Sequence, residues 1–229
     1  MDKCTLVVCT IMVLIIGGLP VPEPVAAQSI KLHKKTTAKG EIVRTPYVTY
    51  AEFEAAAVGR KALSSKSSGE KVTLGDLAFI SSLDEIRRVF GEPEMLTHGS
   101  PYGNETVYAF LTYEGLRFEY VKHNKNDSES KYKLRELELT SPDWSLALGD
   151  TQLRPGTSVD QLSPAVRQTL DRDFSKSIDA FGVIAVAKPG TAKQAKRGAE
   201  LQKMAGDTRI QIMVNGGTVN RVIFYRMLL

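Results

Sequence analysis

Asp76 and Asp150 each close a Leu-Gly-Asp triplet, Leu74-Gly75-Asp76 and Leu148-Gly149-Asp150, 74 residues apart (76 to 150). Two carboxylates brought to one site can act as acid and base in glycoside hydrolysis, and Glu119, Glu136 and Glu138 extend the set of candidates. An Asp that follows Gly can instead bond its own turn backbone. Repetition favours that structural role, because a catalytic pair consists of groups with different roles at different places. His33, His98 and His123 stand apart in tail or loop segments, without the close spacing of metal ligands. Ser64–Ser68 lacks a Gly-x-Ser-x-Gly context, so no nucleophile elbow is indicated. Asn215-Gly216-Gly217 reads as a hairpin turn and not as a phosphate loop, since no helix follows it. The residues thus point to no catalytic group, no metal and no cofactor.

Lys3, the apolar run Leu6–Leu19 and the small residues Val25-Ala26-Ala27 have the pattern of a secretory signal peptide. The run is shorter than the ~18 residues of a membrane span, and Gly17, Gly18 and Pro20 interrupt it. Residues 1–27 are therefore expected to be cleaved, leaving a periplasmic or secreted protein. Cys4 and Cys9 both lie in that segment, so the mature chain has no thiol and no disulfide. Taking out Asp2, Lys3 and Glu23 raises the formal net charge from +4 to +5. This mild basicity fits weak attraction to anionic surfaces. It lacks the dense Lys/Arg stripe of a nucleic-acid binder.

The elements that must position any site follow from the patterning. Residues 28–72 read as a basic polar tail, a helix over Tyr50–Leu63 and a Ser-rich linker. Beyond them the chain reads as two tandem units, residues 73–142 and 143–229. In the first, Ser82 and Glu85 form a capping box before a helix whose stripe is Leu83, Ile86, Val89 and Phe90. Gly91 and Pro93 end that helix. Strands follow over Thr106–Tyr113, Leu116–Val121 and Lys133–Thr140, with a turn at Glu114-Gly115. In the second unit Ser158 and Gln161 repeat the cap before a helix from Val159 to Leu170, which Pro164 threatens to break. Strands then run over Gly182–Lys188, Thr208–Val214 and Val219–Met227, with a basic helical insertion between the first two. The expected fold is α+β: two tandem units, each a helix packed on a three- to four-stranded antiparallel sheet.

Alternation assigns the faces. If Ile210, Ile212, Val222 and Phe224 enter the core, then Arg209, Met213, Ile223 and Tyr225 point outward. Arg, Met and aromatic residues together are the composition of a binding surface, and these four are the candidate contacts. Arg117, Glu119, Glu136 and Glu138 would form a charged, solvated counterpart in the first unit.

The run Ser82-x-x-Glu85-Ile86 to Phe90-Gly91-Glu92-Pro93, followed by Tyr113-Glu114-Gly115-Leu116-Arg117-Phe118, resembles a bacterial envelope superfamily. It includes the SmpA/OmlA small outer-membrane lipoproteins of the β-barrel assembly machinery and the secreted β-lactamase inhibitor protein. Arg154-Pro155-Gly156-Thr157-Ser158-Val159-Asp160-Gln161-Leu162 is similar to the way that family opens its helix. The lipoprotein branch's lipid-carrying cysteine is missing, and the second unit lacks Gly-x-Pro after its helix. The resemblance implies a non-enzymatic module that binds another exported or envelope protein through an open sheet. Two other functions stay open at this point: a wall- or glycan-active hydrolase using scattered carboxylates, and an envelope protein that binds anionic wall polymer.

Overall fold

The computed structural model describes residues 30–36, 38–40, 42–60, 72–100, 106–123, 130–168, 170, 180–187 and 208–226. The segments expected from the sequence to be a leader (residues 1–27), a linker (64–69) and a basic insertion (188–203) lie outside the described residues. In chain order the elements are β1 (Lys31–Thr36), β2 (Ile42–Thr49), α1 (Tyr50–Glu54), β3 (Ala57–Arg60), β4 (Val72–Thr73), α2 (Leu74–Ala78), β5 (Phe79–Ile80) and α3 (Asp84–Phe90). The middle of the chain adds β6 (Met95–Gly99), β7 (Val107–Tyr113), β8 (Leu116–Lys122), β9 (Tyr132–Leu139), β10 (Trp144–Leu148) and β11 (Thr151–Leu153). A 3-10 turn (Val159–Gln161), α4 (Pro164–Arg167), β12 (Ala180–Ala187), β13 (Thr208–Asn215) and β14 (Thr218–Arg226) complete it.

Ten strands form one mixed sheet, ordered β1-β2-β12-β13-β14-β9-β8-β7-β6, with β5 paired to β9 off that path. All neighbours are antiparallel except β2 and β12. A second sheet, β11-β10-β3-β4, has four strands. The helices are short, and α1 and α2 touch each other and lie against β2, β12 and β9. Phe53 of α1 stacks near Phe224 of β14 at 5.2 Å. Phe90 of α3 stands between Phe118 of β8, at 5.1 Å, and Trp144 of the small sheet, at 5.8 Å. The Trp144 indole N–H donates to the Glu114 carbonyl at 2.8 Å. One continuous core therefore joins both sheets and the helices.

This architecture overturns the expected α+β tandem units, each a helix on its own small sheet: the protein is mostly β, built on a ten-stranded mixed sheet. The repeated triplets show why. Thr73 precedes the first, and its hydroxyl accepts from the Asp76 N–H while the Asp76 carboxylate accepts from the Thr73 N–H at 3.0 Å. That capping box opens α2. The second triplet ends an alternating strand, and Gly149, at φ +59°, turns the chain from β10 into β11. Three identical residues take unrelated places because their neighbours differ.

Residues 31–36 and 42–49, expected in part as a tail, pair as β1 and β2, and β2 adds to the large sheet through β12. The helix expected over Tyr50–Leu63 stops at Glu54. A capping box between Thr49 and Glu52 starts it, and Val58 re-enters the chain as β3 against β10. The cap at Ser82 is rearranged: the Glu85 carboxylate accepts from the N–H groups of Ser81 and Ser82, while the Ser82 hydroxyl accepts from Asp84. Val89, placed in the buried stripe by its spacing, is 41% exposed. Ser158 makes no side-chain cap, and only the 3-10 turn follows it. Pro164 begins a helix instead of breaking one, occupying the first turn of α4 behind a Ser163 cap.

The hydrogen bonds from the Thr73 hydroxyl and backbone hold the Asp76 carboxyl below its ordinary value. A depressed carboxyl adds stability above its unfolded pKa of 3.8, and that contribution disappears as pH falls through the lower folded value. We expect Asp76→Asn to lower the melting temperature at neutral pH and to converge on the parent below pH ~3. Melting curves between pH 2 and 7 check this. A constant gap across that range would contradict it.

Candidate functional site

Strand alternation carries Arg209, Met213, Ile223 and Tyr225 to the sheet face opposite Ile210, Ile212, Val222 and Phe224, all four of which are buried in the core. β14 pairs with β9, setting Ile223 opposite Glu138 and Tyr225 opposite Glu136. β9 pairs with β8, setting Glu138 opposite Arg117 and Glu136 opposite Glu119. The charged residues of the first half and the Arg/Met/aromatic residues of the second are thus one continuous surface, not two.

Charge pairing organises it. Glu138 is ion-paired on both sides: Oε1 lies 2.9 Å from Arg221 Nε and Oε2 lies 3.1 Å from Arg117 Nε. The second contact has ion-pair distance without the angle of a hydrogen bond. Arg117 also donates to Glu136, and Arg135 donates to Glu119. Glu119 and Glu138 are only 8% exposed. Their partners Arg117, Arg135 and Arg221 are 42%, 35% and 44% exposed and lie against these carboxylates. Ile223, expected in water, is likewise only 8% exposed.

A second row combines rings and guanidinium groups. Arg135 lies over Tyr108 at 5.6 Å and over Tyr225 at 5.9 Å. Arg209 sits on Tyr225 at 5.2 Å. Gln211, its amide oxygen turned toward the guanidinium, accepts from Arg209 Nη2 at 3.1 Å and Nε at 2.7 Å. Burial pulls the Arg135 pKa down, but the Tyr225 hydroxyl and Glu119 outweigh it and leave it raised. The row Tyr108–Arg135–Tyr225–Arg209 crosses strands far apart in sequence. Met213 stands at its end of the sheet, opposite Arg221 on β14 and Phe181 on β12.

Arg135 and Tyr108 were missing from the residues singled out by sequence. A signal for Arg135 existed. Leu134 and Leu137 are three apart, so alternation breaks at Arg135-Glu136, and a bulge relieves it where β9 meets β8 between Glu119 and Tyr120. That bulge turns Arg135 toward the rings. Of the other carboxylate candidates, Asp76 serves a helix cap and Asp150 a strand turn, so neither joins the glutamates of the sheet. His98 and His123 are exposed. Among the described residues no three His, Cys, Asp or Glu side chains are grouped to hold a metal ion.

No protein-family model matches the chain, and neither a curated protein nor a solved structure matches it significantly.

Proposed function

We propose that the protein is a non-enzymatic exported module that binds another exported or envelope protein through the outward face of β8, β9, β14 and β13, as an assembly or inhibitor-like factor. The observation carrying this reading is the Tyr108–Arg135–Tyr225–Arg209 row beside the Arg117–Glu138–Arg221 bridge. Tyr and Arg dominate the energetics of protein interfaces. Here they are held in place before any partner arrives, which lowers the entropy lost on binding. Arg117 and Arg221 keep 42% and 44% of their side chains in water, open to a partner's carboxylates or carbonyls. Export rests on the leader pattern of residues 3–27, and envelope location on the resemblance.

Affinity capture from the native envelope, with the protein and its Tyr225→Ala variant side by side, tests the reading. The variant is expected to weaken the captured complex by about 1–2 kcal/mol or more, as for an interface anchor. Its own stability should fall by only about 1 kcal/mol, the scale of two partly exposed cation–π contacts. A complex that survives Tyr225→Ala and Arg221→Ala unchanged would remove this face from the function.

A further inference from the structure

The two ends of the large sheet are built differently. At one end β1 carries Lys31, Lys34 and Lys35 within six residues, the usual guard against edge-to-edge pairing. At the other end β6, Met95-Leu96-Thr97-His98-Gly99, has no Lys, no Arg, no Pro and no bulge. No described strand pairs with its outer edge. Met95 and Leu96 are 56% and 38% exposed, two of the four large apolar side chains so placed among the described residues.

From this edge we infer that the protein pairs with a second copy of itself, β6 against β6, into one sheet continuous across two chains. The strand is self-complementary when run antiparallel about Thr97. Full overlap of the five residues sets Thr97 opposite Thr97, a favourable cross-strand pair. It sets Met95 opposite Gly99, large against small, and Leu96 opposite His98. Glu94 of one copy then comes diagonally beside His98 of the other, and the two acidic ends, Glu92 and Glu94, lie at opposite ends of the joint. A parallel pairing would bring those acidic ends together. Such a joint is isologous and closes after two chains, so it does not propagate into fibres. The two-fold axis stands perpendicular to the sheet. Thr97 shares the outward face with Phe110 and Glu119, so both copies present that face on the same side. This inference stands apart from the partner proposed for the face.

Sedimentation of protein expressed from the full-length chain tests it. The expected result is a dimer at micromolar concentration that dissociates on dilution. Leu96→Lys, which gives this edge the guard that β1 already has, should halve the mass while leaving the circular dichroism and melting temperature nearly unchanged. Thr97→Cys provides a second reading: the two thiols face each other across the axis and should form an interchain disulfide under mild oxidation, while Met95→Cys, opposite Gly99, should not. A monomer at every concentration with no Thr97→Cys cross-link overturns the inference. So does a dimer indifferent to Leu96→Lys, or a monomer whose β6 takes up a foreign extended peptide instead.

Discussion

Phe118→Ala is expected to destabilise the protein by about 3–5 kcal/mol, the range for deleting a buried aromatic ring and leaving a cavity. Phe118 is fully buried on the core side of β8. Its ring meets Phe90 at 5.1 Å, Tyr113 edge-on at 6.1 Å and Tyr120 at 6.2 Å. Through Phe90 the cluster reaches Trp144, so one side chain ties β8, α3 and the small sheet together. Relaxation is limited on both sides. Tyr120 is held by its hydroxyl bond to the Leu77 carbonyl at 3.0 Å, and Tyr113 donates to the Gly91 carbonyl at 3.2 Å. For a domain of this size the loss corresponds to a melting temperature lower by on the order of 10 °C. Phe118→Leu keeps most of the volume and should recover more than half of the difference. A Phe118→Ala protein within about 1 kcal/mol of the parent would mean that the two layers fold independently, against the single core described above.

The second large effect is expected on the opposite side of the same strands. Glu138→Ala should cost about 2–3 kcal/mol, between the ~3–5 kcal/mol for breaking a buried pair and the 0–1 kcal/mol typical of exposed ones. The carboxylate itself is nearly covered, at 11% side-chain exposure, whereas its partners Arg117 and Arg221 are 42% and 44% exposed. Removing it leaves two guanidinium groups facing each other without the bridging charge. A double-mutant cycle with Arg221→Ala isolates the pair, because the second substitution relieves part of the first. We expect a coupling of about 1 kcal/mol that shrinks only modestly in high salt, since the Glu138 carboxylate is only 11% exposed. Additivity in that cycle would show the bridge to be an ordinary screened surface pair. The same variant uncovers Ile223, whose low exposure depends on its position between Glu138 and Gln211 in the register. It should therefore disturb the proposed binding face more than its distance from Tyr225 alone would suggest.

Much of the local structure was readable from the residues. The hairpin at Glu114-Gly115, the Gly216-Gly217 turn with both φ values positive, the end of α3 at Gly91 and the inside–outside order of β13 and β14 all follow from short-range rules. So did the choice of Arg209, Met213, Ile223 and Tyr225 as one face, because period-two alternation is a property of the strand itself. Two capping boxes, Thr49 to Glu52 and Thr73 to Asp76, carry the same kind of signal in less conspicuous form than Ser82 and Ser158. The error over the tandem repeat has one physical source. A shared triplet specifies three side chains, whereas its conformation is set by what precedes it, Thr73 in one case and the alternating strand Trp144–Leu148 in the other.

Strand partners were beyond local reasoning. β9 and β14 are separated by more than 75 residues of chain, and their pairing merges a charged ladder with an aromatic one. β2 joins β12 in parallel across a still longer separation, and nothing in residues 42–49 names that partner. Short-range propensity determines whether a segment is extended and which side chains share its face. Which edge it meets depends on the summed burial of a core drawn from the whole chain, and that quantity exists only once the chain has closed on itself.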